Sequence, residues 1–242
     1  MSTGRLAVIG GHGILGTAFA AGAARLDVDT RYGAVTLLDA DSYVVLQRHG
    51  LDRFISAPFI NHRAHLHAVA DLGCDRILGL ASTGSLRRDL PVGSFVAPDD
   101  FIALQLGLSF SDGDAGHQSP GFDREWRQTV VDRWAQHTDV PLVDGGVYWQ
   151  SVGPRFETQA EIRLVARFAD LIGMTIASEC VLAGELRIPY AGVCVVDNLA
   201  NGVGDSPLSM EDFRAGTAAN RERLVHALDA IVPVLAKEAA TG

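Results

Sequence analysis

An apolar run that ends in glycines opens the chain, since residues 6–16 read LAVIGGHGILG. Four apolar residues in a row are too few for a buried helix, and the glycines that follow end the element. Residues 6–9 are therefore predicted as a strand that is buried on both faces. Strands of this kind are typical of sheets that helices cover on both sides, as in α/β proteins.

The same pattern returns further along the chain. Short apolar runs at residues 43–46, 76–80 and 190–196 end, in turn, in an Arg-His pair, in small hydroxyl residues with a glycine, and in an Asp-Asn pair. Ligands of open α/β sheets lie beyond the carboxyl ends of the strands, so these polar ends are candidate site residues. No change of composition divides the chain, and we predict one α/β domain over residues 1–242.

The composition limits the classes of partner. The net charge is −9 and no run of lysine or arginine occurs, which argues against nucleic acid or an anionic membrane. No apolar run approaches the ~20 residues that span a bilayer, and the first residues lack a signal-peptide pattern, so a cytoplasmic protein is predicted.

Three cysteines are predicted to be buried free thiols: Cys74, Cys180 and Cys194. Neither they nor the histidines at 62, 65 and 67 have the spacing of metal ligands, so no metal is predicted.

The glycines of residues 10–16 contain the spacing G-x-G-x-x-G, which permits two interpretations. Glycine allows the backbone to approach an anion closely, so the loop suits either the pyrophosphate of a dinucleotide or inorganic phosphate. A dinucleotide site needs an acidic residue about 20 residues later, at the end of a second strand. Asp39 and Asp41 come later than that and follow an apparent hairpin. An NAD-linked oxidoreductase is therefore the weaker alternative.

Two further patterns indicate a small-molecule site. Arg48 follows a predicted strand together with His49, and its planar fork suits bidentate binding of phosphate. Residues 153–158 read GPRFET, which brings an aromatic ring and the carboxylate of Glu157 into one loop, where they suit a planar heterocycle. Glu161 completes the capping pattern of the next helix, so it has a structural interpretation that needs no catalysis.

Taken in order, these landmarks resemble the trimeric purine nucleoside phosphorylase and methylthioadenosine phosphorylase family. The resemblance covers nearly the whole chain, and its specific parts are G-P-R-F-E-T at 153–158 and M-T-x-x-x-E at 174–179. It implies an α/β fold with a central mixed, partly barrel-like β-sheet flanked by helices, and a homotrimer. It also implies phosphorolysis, in which a purine nucleoside and inorganic phosphate, with no further cofactor, give the free base and a ribose 1-phosphate.

The resemblance implies a role for each matching residue. Five residues would hold phosphate: His12, Arg48, His49, Ser82 and Thr175. Five others would bind the nucleoside: Phe156 on the purine ring, Glu157 and Asn198 at the base edge, Met174 on the ribose, and Met210 near the 5′ position. Phosphorolysis needs an anion positioned below C1′ and a stabilised departing base, so His49, Glu157 and Asn198 are the residues implied for catalysis.

Glu157 and Asn198 also imply a choice of substrate. In the family, enzymes for 6-oxopurines have Glu and Asn at these positions, whereas adenine-specific methylthioadenosine phosphorylases have Ser and Asp. A carboxylate accepts the N1–H of hypoxanthine or guanine, which adenine lacks, so inosine, guanosine or methylthioinosine is the expected substrate. His12 departs from the Ser or Thr of the family. Three alternatives therefore stay open: a methylthioadenosine phosphorylase, a phosphate-independent nucleosidase, and a nucleoside-binding protein without turnover.

Overall fold

The computed structural model describes residues 4–14 and 16–238, which fold around one mixed sheet of eleven strands. The strands are β1 (Arg5–Gly10), β2 (Ala24–Thr30), β3 (Gly33–Asp39), β4 (Tyr43–Gln47), β5 (Cys74–Ser85), β6 (Phe95–Ala97), β7 (Asp100–Ile102), β8 (Leu142–Asp144), β9 (Val147–Gln150), β10 (Leu171–Gly173) and β11 (Tyr190–Leu199). The helices are α1 (His62–Asp71), α2 (Arg124–His137), α3 (Gln159–Val165), α4 (Ile176–Glu185) and α5 (Met210–Glu238).

The sheet forks at β5, which is long enough to pair with three other strands. Its first part lies parallel to β1, and β11 lies parallel to it on the opposite edge. Beyond the end of β1, Gly84 and Ser85 pair with the antiparallel strand β10. One branch of the sheet continues through β10, β9 and β7, and the other through β11, β6 and β8. The predicted α/β fold, a mixed sheet flanked by helices, is confirmed.

Helices cover both faces of the sheet. The side chains of β1 alternate: Ala7 and Ile9 pack in the core formed with α1 and α4, and Leu6 and Val8 pack in the core formed with α2 and α5. All four are fully buried. This confirms the prediction that residues 6–9 form a strand buried on both faces. The three cysteines are buried free thiols, as predicted.

Two other features of the sequence have different outcomes. The capping box at the start of α3 is confirmed, since the Thr158 hydroxyl accepts from the Glu161 amide and the Glu161 carboxylate accepts from the Thr158 amide. The sequence, by contrast, predicts that the strand of residues 76–80 ends before the small hydroxyl residues that begin at Ser82. They continue β5 as far as Ser85, because β11 extends alongside and takes up their backbone hydrogen bonds.

The glycine loop after β1 does not lead into a helix. Among the described residues, the chain passes from the loop to the antiparallel pair of β2 and β3, so the helix N-terminus that a dinucleotide pyrophosphate requires is missing there.

No helix in residues 4–14 and 16–238 is both long and apolar enough to cross a membrane. The single domain over residues 1–242 and the cytoplasmic location stay predictions.

Candidate active site

A cavity of about 240 Å³ opens where β1, β4, β5, β10 and β11 come to their carboxyl ends. All ten of the site residues that the sequence predicts line this one cavity: His12, Arg48, His49, Ser82, Phe156, Glu157, Met174, Thr175, Asn198 and Met210. They come from seven separate segments of the chain, which only the strand order of the sheet brings together. Their individual roles stay predictions.

Arg48 is held almost completely by the protein itself. Its side chain is 1% exposed, and its Nε and Nη2 donate to the two carboxylate oxygens of Glu179 at 2.6 and 2.9 Å. Nη1 donates to the Leu80 carbonyl at 2.5 Å, and Nη2 donates to the Ile9 carbonyl at 3.1 Å. The guanidinium fork predicted to bind phosphate bidentately is therefore occupied by Glu179. One N–H of Nη1 remains for a ligand in the cavity.

His49 and His12 lie side by side at the same end of the cavity, with ring centroids 4.6 Å apart. The Nδ1–H of His49 donates to the Ile55 carbonyl at 2.7 Å, which fixes the ring. Burial lowers the pKa of His49 to about 3, and the charge of Arg48 adds to that effect. Burial, and then Arg48, lower the pKa of His12 as well. Both imidazoles are therefore neutral at pH 7.

Two phenylalanines that the sequence reasoning missed complete this end of the cavity. Phe54 stacks on His49 with centroids 5.0 Å apart and lies 5.2 Å from His12. Phe213 meets His12 edge to face at 5.2 Å. Phe213 follows the predicted residue Met210 by three positions on α5, a spacing that places both on one helix face and could have identified it. Phe54 lies in an irregular segment, where no periodicity could have indicated it.

Ser82 is tied to a buried carboxylate. Its hydroxyl donates to Asp197, which also accepts from Thr217 Oγ1 at 3.1 Å and from Asn220 Nδ2 at 2.8 Å. Burial raises the pKa of Asp197, and the three hydrogen bonds oppose this rise. The pairing of β11 with β5 shifts between Val196 and Asn198, so Asp197 is the extra residue of a bulge. It faces α5, while Asn198 faces the cavity.

Glu157 and Asn198, which the sequence predicts to read the base, are also positioned by neighbours. The Ser151 hydroxyl donates to Glu157 Oε1, and Asn201 Nδ2 donates to the Glu157 backbone carbonyl at 3.0 Å. These contacts leave Glu157 Oε2 to accept from a ligand. Asn198 Nδ2 donates to the Leu199 carbonyl at 3.0 Å, which leaves its Oδ1 and one N–H for the cavity. A carboxylate and an amide thus stand ready to read a polar edge.

Thr175 lies at the N-terminus of α4, where it lines the cavity. Its amide donates to the Tyr148 hydroxyl at 3.1 Å, and its own hydroxyl makes no capping hydrogen bond to the helix. A helix N-terminus carries a partial positive charge and favours anions. Thr175 therefore offers a hydroxyl group and a favourable electrostatic potential at the end of the cavity where Arg48 is neutralised.

Comparison with known proteins gives consistent matches. The family model described as "Phosphorylase superfamily" matches residues 5–233. A "Probable 6-oxopurine nucleoside phosphorylase" of Archaeoglobus fulgidus is 33% identical over 86% of this chain and 87% of its own length. A "Probable S-methyl-5'-thioinosine phosphorylase" of Methanosarcina acetivorans is 35% identical over 76% and 74%. The structure of methylthioadenosine phosphorylase from Schistosoma mansoni in complex with adenine is 25% identical, with a TM-score of 0.77 over 98% of this chain and 96% of that one.

The buried histidines predict how stability depends on pH. His62 and His65 on α1 each have a buried Nδ1 without a hydrogen-bond partner among the described residues, and Glu179 Oε1 lies 3.9 Å from His62 Nδ1. Burial lowers the pKa of His62 to about 3 and that of His65 to about 4. Their stabilising contribution, like that of His49, is complete above the unfolded pKa of about 6.5. It is lost as the pH falls from there toward the folded pKa, because only the unfolded state then binds the proton.

We expect the His62→Phe variant to lose less stability in acid than the wild type. Each buried histidine contributes up to about 1.4 kcal/mol per pH unit to the slope, and this variant removes one of them. The measurement is urea unfolding at several pH values from 7.5 to 5. His226→Gln, a change at an exposed side chain, is the matched control and should keep the wild-type slope. Equal slopes for His62→Phe and the wild type would show that His62 does not resist protonation.

Proposed function

The chain belongs to the phosphorylase superfamily and is a nucleoside phosphorylase, a pentosyltransferase, and we propose that it acts on 6-oxopurine nucleosides. One observation carries the proposal: Phe156 and Glu157 line the same cavity as His49 and the N-terminus of α4. A planar base can therefore lie against Phe156 and Glu157, and an anion in the part of the cavity lined by His12, Arg48, His49 and Thr175, which is called the anion end. Phosphate would attack C1′ while the electron pair of the glycosidic bond passes to N9 of the base.

Glu157 supports the choice of a 6-oxopurine. Ser151 donates to one of its carboxylate oxygens, which leaves the other to accept the N1–H of hypoxanthine or guanine. Adenine has a lone pair at N1, so its base edge would meet the carboxylate without a hydrogen between them. Asn198 can donate its remaining N–H to N7, where negative charge develops as the base departs.

The 5′ side of the proposed ribose position is apolar. Leu208, Met210 and Phe213 line the cavity at the start of α5, and Met210 is 47% exposed there. A methylthio group would bury apolar surface against these side chains, which a 5′-hydroxyl would not do. Methylthioinosine therefore combines the base that Glu157 favours with the substituent that α5 favours.

We also propose that the chain forms a homotrimer. A second groove, next to the cavity, shares Ala57 and Met174 with it. Val152 lines this groove and is 50% exposed in the single chain. Phe59 and Leu104 are the sequence neighbours of lining residues and are exposed by 75% and 79%. Apolar surface of this kind is typical of contacts between subunits.

Light scattering should give three times the mass of the chain, and a monomeric mass would contradict the proposal of a homotrimer.

The test of the proposed reaction is release of free base with and without phosphate. Inosine, guanosine, methylthioinosine and methylthioadenosine are incubated separately, and the products are separated by chromatography. We expect phosphate-dependent release, with methylthioinosine the best substrate and the 6-oxopurines at least tenfold ahead of methylthioadenosine in kcat/KM. Equal rates without phosphate would identify a hydrolase instead. Thermal stabilisation by nucleosides without any release would identify a binding protein.

Hydrolysis is the main alternative to phosphorolysis, because the anion end of the cavity carries little net charge. Arg48 is paired with Glu179, and both His12 and His49 are neutral. Water could therefore compete with phosphate more easily than in a site with an unpaired cation.

Asn198→Asp should shift the preference toward 6-aminopurines. An acidic group at this position can protonate N7 and does not depend on the 6-oxo group, so the kcat/KM ratio of methylthioadenosine to methylthioinosine should rise about tenfold or more. Asn61→Asp is the control, because it makes the same change outside the cavity, at the N-cap of α1. Aspartate keeps the cap to the Ala64 amide and loses only the Nδ2 hydrogen bond to the Tyr32 carbonyl. An unchanged ratio in Asn198→Asp would mean that Asn198 only ends its strand.

A further inference from the structure

The first turn of α4 is capped by a residue from another element. The first amides of a helix have no partner within it, and the side chain of the N-cap residue usually accepts from the second or third of them. Thr175 is the N-cap residue of α4, but its hydroxyl makes no such bond. Gln150 Oε1 accepts instead from the amides of Ala177 and Ser178, at 2.9 and 3.2 Å. These are the second and third residues of the helix, so Gln150 takes the place of the N-cap side chain.

The pairing of β9 with β10 places Gln150 beside this turn. The two strands are parallel, and Gln150 lies opposite Gly173, the last residue of β10. The chain then passes through Met174 and Thr175 into α4, so the side chain at the end of β9 meets the start of the helix. Gln150 Nε2 donates to Ser178 Oγ at 2.6 Å, which keeps the amide oxygen turned toward the helix. Gln150 approaches from the second groove, which it lines together with Ser178.

The backbone of Thr175 does not have the usual conformation of a capping residue. N-cap residues are typically extended, whereas Thr175 has φ −140° and ψ −49°. Its amide donates at 3.1 Å to the hydroxyl of Tyr148, a fully buried side chain. Because Gln150 already satisfies the amides that an N-cap would serve, the Thr175 hydroxyl is left for a ligand in the cavity that Thr175 lines.

We propose that Gln150 is a positioning residue of the active site, because it caps α4 from β9 and thereby leaves the Thr175 hydroxyl to the bound anion. Gln150 acts through Thr175 and from the groove side of the helix. In a chain without Gln150, the Thr175 hydroxyl could accept from the same amides and would then be lost to the ligand. The inference rests on the proposed function for the identity of that ligand, whereas the exchange of capping roles depends on the contacts alone.

The stability of two threonine variants tests the exchange of roles. Thr158 is an N-cap residue whose hydroxyl does accept from a helix amide, that of Glu161 at 3.2 Å. Thr158→Val should therefore raise the unfolding equilibrium constant about fivefold, a typical result of losing a cap. Thr175→Val should keep that constant within about twofold of the wild type in urea unfolding at pH 7.5. A loss of stability in Thr175→Val as large as that in Thr158→Val would overturn the proposal, since Thr175 would then be the cap.

A double-mutant cycle tests the link to the cavity. Gln150→Met keeps the length of the side chain and removes the acceptor, so the KM for phosphate should rise about fivefold while the KM for methylthioinosine stays within about twofold. Thr175→Val should raise the KM for phosphate by a similar factor in the wild type. It should add little in Gln150→Met, where the Thr175 hydroxyl already serves the helix. Independent, multiplicative effects of the two changes would contradict the proposal.

The two measurements separate this inference from the proposed function. If the wild type releases no base, the proposed function fails together with the role toward the anion, and the urea experiment still decides which residue caps α4. If release depends on phosphate but the cycle shows independent effects, phosphorolysis stands and the positioning role of Gln150 fails. If Gln150→Met does not fold, the comparison of Thr175→Val with Thr158→Val decides the exchange of roles without it.

Discussion

The buried ion pair of Arg48 and Glu179 ties together the strand ends on which the site is built. Arg48 extends from the end of β4 and donates to carbonyls of β1 and β5, while Glu179 belongs to α4 and accepts from the Tyr190 hydroxyl of β11. Five elements therefore meet at two side chains. Such a pair need not stabilise the fold more than apolar residues would, but loss of one partner costs about 3–5 kcal/mol, because the other charge stays buried.

The pair also determines what the anion end can offer. Because Glu179 neutralises Arg48, attraction of a phosphate depends on directed groups: one N–H of Arg48, the Thr175 hydroxyl and the N-terminus of α4. The strength of a directed hydrogen bond depends on which atoms of the ligand carry protons, whereas the attraction of a bare charge depends only on the charge of the ligand.

The sequence predicted the elements and the lining of the cavity better than it predicted the partners within it. Apolar runs and capping signals identify strands and helices locally, and the strand ends bring the ten predicted residues together. The pairing of Arg48 with Glu179 joins positions 131 residues apart, and Ser82 pairs with Asp197 across 115. No local pattern indicates such partners. The same is true of the continuation of β5, which depends on β11 lying beside it.

Asp197 and Asn198 show how one strand end serves two halves of the site. The bulge in β11 turns Asp197 toward α5, where Thr217 and Asn220 donate to it, and Gly216 lets the helix approach closely. A Cβ atom at residue 216 would lie 1.7 Å from the Asp197 carbonyl oxygen, so the helix cannot carry a larger side chain there without moving away. The first turns of the same helix carry Met210 and Phe213, which line the cavity. A shift of α5 would therefore move these side chains and, through Asp197, the strand end that carries Asn198. In the proposed function, recognition of the base and of the 5′ substituent would then depend on the same contact of one helix with one strand end.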